Sequence, residues 1–430
     1  MNGTAAAAPA SSLSEWWRWM RNPAFWMPVA DAAAVLTAAA LPWSTSLVAI
    51  FALMWLGAAA VVTDYPVWFR SLKQPICALP LAVFALAAVG MLWSDAAWTV
   101  RLHSLQQYIK LLFLPGLFHY FGRSSRGLWV FVAFLVSSTV MMVVSDITAF
   151  VPAFTLKAAN ERMCGVFVNN SISQGQEFAL CAAALAYPIM TLLRQGKRWQ
   201  AGILIAIAAG LVLNMSFIIA SRTAMVTAPV LLALFAYRYL DWRGAIALGI
   251  VTVVVAAVWA VTPSVCRKVE TISRDLTLYT QENIPTSAGL RLEYWTKSIQ
   301  FIREAPFVGH GTGSIRGLFE RAAKGRSVEA TGQVVGNPHN QTFHTAIQWG
   351  ILGVIPLYLM WVSHLLLFRG EGVVVWIGLL VVVQNMLSSL FNSHMVDFHA
   401  SWIYVLGVGV AGGMVLKGRA GLPPGTSVRV

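Results

Sequence analysis

Residues 127–149 read GLWVFVAFLVSSTVMMVVSDITA, twenty-three positions with one charge, Asp146. A helix of that length crosses the roughly 30 Å hydrocarbon core of a bilayer at about 1.5 Å per residue. The same signature recurs along the chain. Twelve apolar runs lie near 25–42, 45–63, 76–93, 104–120, 127–149, 173–193, 199–218, 222–239, 244–262, 341–368, 372–389 and 398–416. Composition agrees: 58% of the 430 residues are hydrophobic, 11% are charged, and the mean hydropathy is +0.67. Soluble domains carry about 25% charged residues. These values exclude a cytosolic enzyme, a disordered chain and a small disulfide-stapled domain. The expected fold is an all-α polytopic membrane protein of about 12 transmembrane helices.

The net charge of +13 has two readings, nucleic acid and membrane. No separate basic domain is present, so no nucleic-acid partner is expected. The charges instead sort by side. With the N-terminus inside, the inner segments hold fifteen basic residues, among them Arg70, Arg123, Arg126, Arg194, Arg369 and Lys417. The short outer loops hold four: Arg101, Lys157, Arg162 and Arg222. This asymmetry predicts a multi-pass inner-membrane protein with both termini cytoplasmic. Residues 1–14 are an Ala/Ser stretch, and Trp16–Arg21 suits a membrane interface rather than a signal peptide. The four cysteines form no CxxC pair. Cys77 and Cys181 fall in apolar runs, whereas Cys164 and Cys266 fall in outer loops, where a bridge between them is open.

The expected organisation is a cytoplasmic segment at 1–24, helices at 25–262, an outer loop domain at 263–340, helices at 341–416 and a cytoplasmic tail at 417–430. The polar stretch 263–338 runs 76 residues, long enough to carry function. Within it Thr286 or Ser287 caps an amphipathic helix that begins at Ala288 and ends before Pro306. Gly309, Gly311 and Gly313 then mark an irregular segment.

Candidate chemistry gathers at the outer ends of the runs. Arg222, in Ser221-Arg222-Thr223, starts the eighth run, where a guanidinium is costly unless it faces a cavity or partner. It reads as an interface anchor or as a phosphate clamp. Arg291 shares a helix face with Trp295. In Asn337-Pro338-His339-Asn340-Gln341, Asn337 is expected to cap a helix with Pro338 in its first turn, so His339 would sit in the anion-favouring field of a helix N-terminus. That field disfavours imidazolium and suits a neutral general base beside a phosphate. His344 is a second polar group in the same helix, and Gly350 and Gly353 allow close helix approach there. Lys110 is expected to pair with Asp146 across helices, and His394, Asp397 and His399 cluster at the start of the last run with metal-binding residue types. No Walker A loop, GxGxxG, HExxH or outer acidic pair occurs, so neither a metal nor any other cofactor is expected.

The twelve runs, the large loop before the tenth, Ser221-Arg222-Thr223, Arg291 with Trp295, the stretch Pro306–Gly311 that includes His310, and Pro338-His339-Asn340 followed by Gly350 and Gly353 together resemble the O-antigen ligase/polymerase superfamily. The resemblance covers about residues 25–416. Gln348 stands near the place where that family carries an acidic residue. The resemblance implies a GT-C-like, metal-independent, inverting glycosyltransferase whose active site faces the periplasm. The donor would be a glycan on undecaprenyl diphosphate and the acceptor a sugar hydroxyl of lipid A–core. It implies His339 as general base and Arg222 with Arg291 as diphosphate ligands, with Asn340, His344, Ser221, Thr223, Trp295 and His310 as accessory residues. An O-antigen polymerase or a protein O-oligosaccharyltransferase would share donor and chemistry. A lipid or glycan transporter is the rival from another class, and most of the candidate residues sit at the outer rim rather than at a midplane site.

Overall fold

Every one of the twelve expected runs is helical in the computed structural model, which describes residues 22–151, 153–158, 163–219, 221–260, 274–275, 277–325 and 330–420. The Trp16–Arg21 edge, Arg162, Cys266 with its open bridge, and the tail beyond residue 420 lie outside the described residues, as does the side chain of Arg222. In chain order the helices are α1 (Pro23–Ala40), α2 (Thr45–Val62), α3 (Tyr65–Ser71), α4 (Pro75–Val89), α5 (Trp98–Gln106), α6 (Phe113–Phe121), α7 (Gly127–Phe150) and α8 (Ser171–Arg194). They continue as α9 (Arg198–Leu213), α10 (Arg222–Tyr239), α11 (Trp242–Ala260), α12 (Ser287–Glu304), α13 (Ser314–Ala322), α14 (Gln341–Leu367), α15 (Val373–Ser388) and α16 (Phe398–Ala420).

The apolar helices differ in length. Seven described helices are long and apolar enough to cross a membrane alone, or eight if the bent pair α3–α4 is one span. The fourth run is broken at Gln107–Leu112 into two short helices, and α15 has only 16 residues. The difference is one of length, because pieces shorter than about 18 residues fall short of the bilayer thickness. The protein is all-α and polytopic.

α16 is the hub, with 78% of its span buried. A stripe of small residues explains how neighbours reach it. A Cβ on Gly409 would lie 2.6 Å from Leu117, and one on Gly412 would lie 2.3 Å from Phe118, both on α6. Helices pack that closely only over glycine. Large buried rings surround the hub: Trp376 of α15 donates its indole N–H to the Ala183 carbonyl at 3.1 Å, and Tyr404 meets His364 at 2.6 Å. Cys77 and Cys181 are buried, as expected of packing residues.

One expected pairing is replaced. Lys110 does not meet Asp146. Its ammonium donates to the Asp397 carbonyl at 2.9 Å and lies 5.6 Å from the Phe398 ring centre. Asp146 instead accepts from Asn214 at 2.6 Å, at the π-helical turn Asn214–Ile218 that leads into α10. A buried cation needs an acceptor, and a backbone oxygen serves as well as a carboxylate.

α14 is the other departure. Gly350 has φ +57 and ψ −150, so the helix is broken there rather than merely approached closely. The segment Pro306–Gly313 fills the break. The carbonyls of Pro306 and Phe307 accept from the N–H groups of Ile351 and Leu352, while His310 and Gly311 donate to the carbonyls of Ile347 and Gln348. Backbone groups freed by the break are thereby satisfied inside the protein, as a membrane interior demands. Gly309, Gly311 and Gly313, at φ +64, +86 and +85, let this plug turn.

Candidate active site

His339 sits at the mouth of α14, and its environment is built from three places in the chain. Asn340, not Asn337, caps α14; its side chain accepts from the Phe343 N–H at 3.1 Å and donates to the Leu390 carbonyl at 3.1 Å. The helix therefore starts at Gln341, and His339 lies outside it with φ +54. Pro338 opens no helical turn. His339, directly after it, takes φ +54, outside the right-handed helical region, so the helix can begin only beyond that residue.

Asn337 is freed for another task. The backbone N–H of His339 can only donate, and it does so to Asn337 Oδ1 at 2.9 Å, where the Ser393 hydroxyl also donates at 2.7 Å. Asn337 Nδ2 must then be the donor that faces Asn392 Oδ1 at 3.3 Å. The same oxygen lies 3.1 Å from His339 Nδ1. Nδ1 consequently carries the proton and Nε2 the lone pair. The turn between α15 and α16 thus fixes the tautomer of a histidine 53 positions earlier in the chain.

α12 supplies the opposite wall. The Thr286 side chain caps it by accepting from the Gly289 N–H at 3.2 Å, as the sequence suggests. The Tyr294 ring stacks on His339, with centroids 6.3 Å apart and planes 27° apart. Trp295 meets Phe343 of α14 edge-on at 6.1 Å. Arg291, one turn before Trp295, brings its positive charge to bear on His339. Burial first, and Arg291 second, hold the imidazole below its ordinary pKa, against the opposing effect of the Asn392 bond. The expected direction stands, but its cause is burial and a neighbouring guanidinium rather than residence in the helix.

The structure brings His339, Asn340, Arg291 and Trp295 together and sets other candidates apart. His344 is buried, 3.3 Å from the Tyr108 hydroxyl and 3.1 Å from the Gln348 amide. Gln348 Oε1 also accepts from the Gly313 N–H at 2.7 Å, so this position ties the plug to α14. His310 belongs to the plug as well, with Nε2 donating to the Phe301 carbonyl at 2.8 Å. Ser221 caps α10 by position only and packs on α8, where a Cβ on Gly175 would lie 2.4 Å from Ser221 Cβ. Thr223 bonds within its own helix through its carbonyl, which accepts from Thr227. Arg222 is the first residue of α10. His394, Asp397 and His399 form no group able to hold a metal among the described residues, because Asp397 turns to cap the Ala400 N–H at 2.9 Å. Sequence reasoning missed Asn392, Ser393 and Tyr294. The polar break Ser388–Asp397 was visible, but nothing local in it points to residue 339.

The site is a basic and aromatic cluster at the start of α14 in a polytopic helical membrane protein. Residues 207–358, about a third of the chain, match the family model described as O-antigen ligase, and this supports the O-antigen ligase superfamily. That stretch contains Arg222, Arg291 and His339. An uncharacterised protein of Haemophilus influenzae is 28% identical over 95 residues, which are 22% of this chain and 24% of the relative. The match thus spans about a quarter of the relative's length.

Proposed function

We propose that this protein is a membrane glycosyltransferase that moves an O-antigen glycan from undecaprenyl diphosphate to a sugar hydroxyl of lipid A–core at the periplasmic face. One observation carries the reading. The domain assigned to the O-antigen ligase superfamily holds a histidine whose Nδ1–H is pinned by Asn392, whose Nε2 keeps its lone pair, and which lies in the field of Arg291.

In this reading His339 Nε2 takes the proton of the acceptor hydroxyl as its oxygen attacks the anomeric carbon. The bond to undecaprenyl diphosphate breaks, and the configuration inverts in a single displacement. Arg291 and Arg222 bind the diphosphate and stabilise the charge that grows on it. Fixed guanidiniums supply the positive charge that a divalent ion supplies in transferases with an acidic pair, which this sequence lacks. Trp295, half-buried, gives a flat apolar face on which a sugar ring can lie, while the buried Tyr294 backs His339.

The test is transfer by the purified protein with lipid-linked O-antigen and lipid A–core, EDTA present, nucleotide absent, and His339→Ala run in parallel. Glycan on lipid A–core, formed by the wild type alone, is the expected result. Longer lipid-linked glycan with none on lipid A–core would make the protein a polymerase. Intact substrates after incubation with wild type would reject transfer.

A further inference from the structure

The short helix α3 (Tyr65–Ser71) buries none of its seven residues. It joins the end of α2 at Val62 to the start of α4 at Pro75, so it sits where two apolar helices meet one surface of the bilayer. That surface is the one away from His339. The Ile76 carbonyl, in the first turn of α4, accepts from His364 Nε2 at 3.1 Å, and His364 belongs to the last turn of α14, whereas His339 precedes its first.

The direction of α3 is set locally. The Asp64 side chain starts it by accepting from the Val67 N–H at 3.3 Å. Pro75 holds Gln74 in an extended conformation, at ψ 139, and so separates α3 from α4. The two axes meet at 79°. A helix nearly perpendicular to a span runs along the bilayer surface rather than through it.

Its side chains suit that course. Tyr65, Trp68, Phe69 and Leu72 share one face by i, i+3, i+4, i+7 spacing. The Trp68 ring centre lies 6.3 Å from that of Tyr65 and 5.0 Å from that of Phe69. Tyr65 is 44% exposed and Phe69 59% exposed, so nothing in the chain covers this aromatic face. Cations stand beside it. Arg70 and Lys73 are exposed. Arg123, just after α6, donates to the Val62 carbonyl at 3.1 Å, and Lys417 of α16 donates to the Arg123 and Ser124 carbonyls at 3.1 Å each. The segment 63–73 carries a single acid, Asp64. An apolar ring face beside cations matches the boundary between acyl chains and phosphates. A re-entrant path would carry Arg70 into hydrocarbon at high cost. Basic residues in excess of acids favour an anionic head group over a zwitterionic one.

We propose that α3 is an interfacial anchor that lies in the bilayer plane at the end opposite His339, seats Tyr65, Trp68 and Phe69 among acyl chains, and binds the phosphate of an anionic phospholipid through Arg70, Lys73, Arg123 and Lys417. Neither measurement below needs turnover.

The full-length protein is placed in nanodiscs in a Cys164→Ser/Cys266→Ser background, in which Cys77 and Cys181 are buried. Spin labels at Tyr65→Cys and at Phe69→Cys report depth through relaxation by oxygen and by a water-soluble nickel chelate. The two labels should lie at one depth, just below the head groups. A helix that dips into or crosses the bilayer would set them about 6 Å apart in depth, at 1.5 Å per residue, and overturn the proposal. Strong spin–spin broadening would also overturn it, because a second copy would then cover the face. Lipid choice is read by native mass spectrometry with phosphatidylglycerol and phosphatidylcholine as probes. The wild type should hold phosphatidylglycerol at least about tenfold more tightly. Each basic residue at such a surface is worth about fivefold, so Arg70→Gln/Lys73→Gln should lose most of that preference. Arg70→Lys should keep it, and so should Arg316→Gln on α13, which removes one charge elsewhere. No preference in the wild type, an unchanged preference in the double variant, or an equal loss in Arg316→Gln would overturn the anionic-lipid site.

Discussion

His339 owes its state to two asparagines and an arginine. Asn337 and Asn392 settle which ring nitrogen carries the proton, and burial, aided by Arg291, holds the ring below its ordinary pKa. Loss of a general base costs about 10²–10⁴-fold in rate, so His339→Ala should lower kcat by that factor at unchanged protein abundance. Asn392→Leu removes the acceptor for Nδ1–H, and kcat should fall by about 10–100-fold. Asn392→Asp keeps an acceptor and adds a negative charge that favours imidazolium; it should recover most of the rate and move the acid limb of the pH profile upward. A purely structural asparagine would produce no such shift. The wild-type acid limb should lie below the ordinary imidazole value of about 6.5, because a lowered pKa keeps the base competent into more acid solution. Arg291→Gln takes away a charge that disfavours imidazolium, so the limb should rise, whereas Arg291→Lys should leave it in place. An unmoved limb in Arg291→Gln would show that the guanidinium does not act on His339.

At the scale of the element, the broken helix α14 and its plug hold the site in position. A Cβ on Gly350 would fall 2.4 Å from the Phe307 carbonyl carbon and oxygen, at a φ of +57 that other residues adopt with strain. Gly350→Ala should therefore lower stability by about 2 kcal/mol or more, read as a lower midpoint of thermal unfolding in detergent. Gly353→Ala meets the Trp349 side chain at 2.8 Å in an ordinary helical conformation and should cost less. Equal midpoints for the two variants would mean that the plug yields. The glycine-rich segment satisfies the backbone of the helix that the histidine precedes.

For the whole molecule, the testable property is the way it faces. From the charge asymmetry we propose that the His339 end faces away from the cytoplasm, on the same side as the loop that carries Cys164. Cys164 is exposed while Cys77 and Cys181 are buried. In a Cys266→Ser background, a maleimide that cannot cross the inner membrane should label Cys164 in cells with a permeabilised outer membrane, and Cys164→Ser should abolish the signal. Labelling only after inner-membrane lysis would invert the topology and bring the candidate site to the cytoplasm.

The sequence by itself determined the all-α membrane class, because apolar runs such as 127–149 admit no other solvent. It also determined the loop helix with its Thr286 cap and the candidacy of His339, Arg291 and Trp295, since caps and one-face patterns span only three or four residues. Hydropathy marked the apolar runs, and the structure added which of them are unbroken helices and which are bent or short, as at α3–α4 and α15. Only the tertiary structure decided the partners of Lys110 and Asp146, the break at Gly350, the separation of His310 and His344 from the site, and the role of Asn392. Each of these depends on contacts between residues far apart in the chain, several of them between backbone groups. A backbone carbonyl that accepts Lys110, or a plug that pairs with freed N–H groups, leaves no mark in side-chain composition. Local chemistry is written residue by residue, whereas the tautomer of one histidine is set by the way α15 turns into α16.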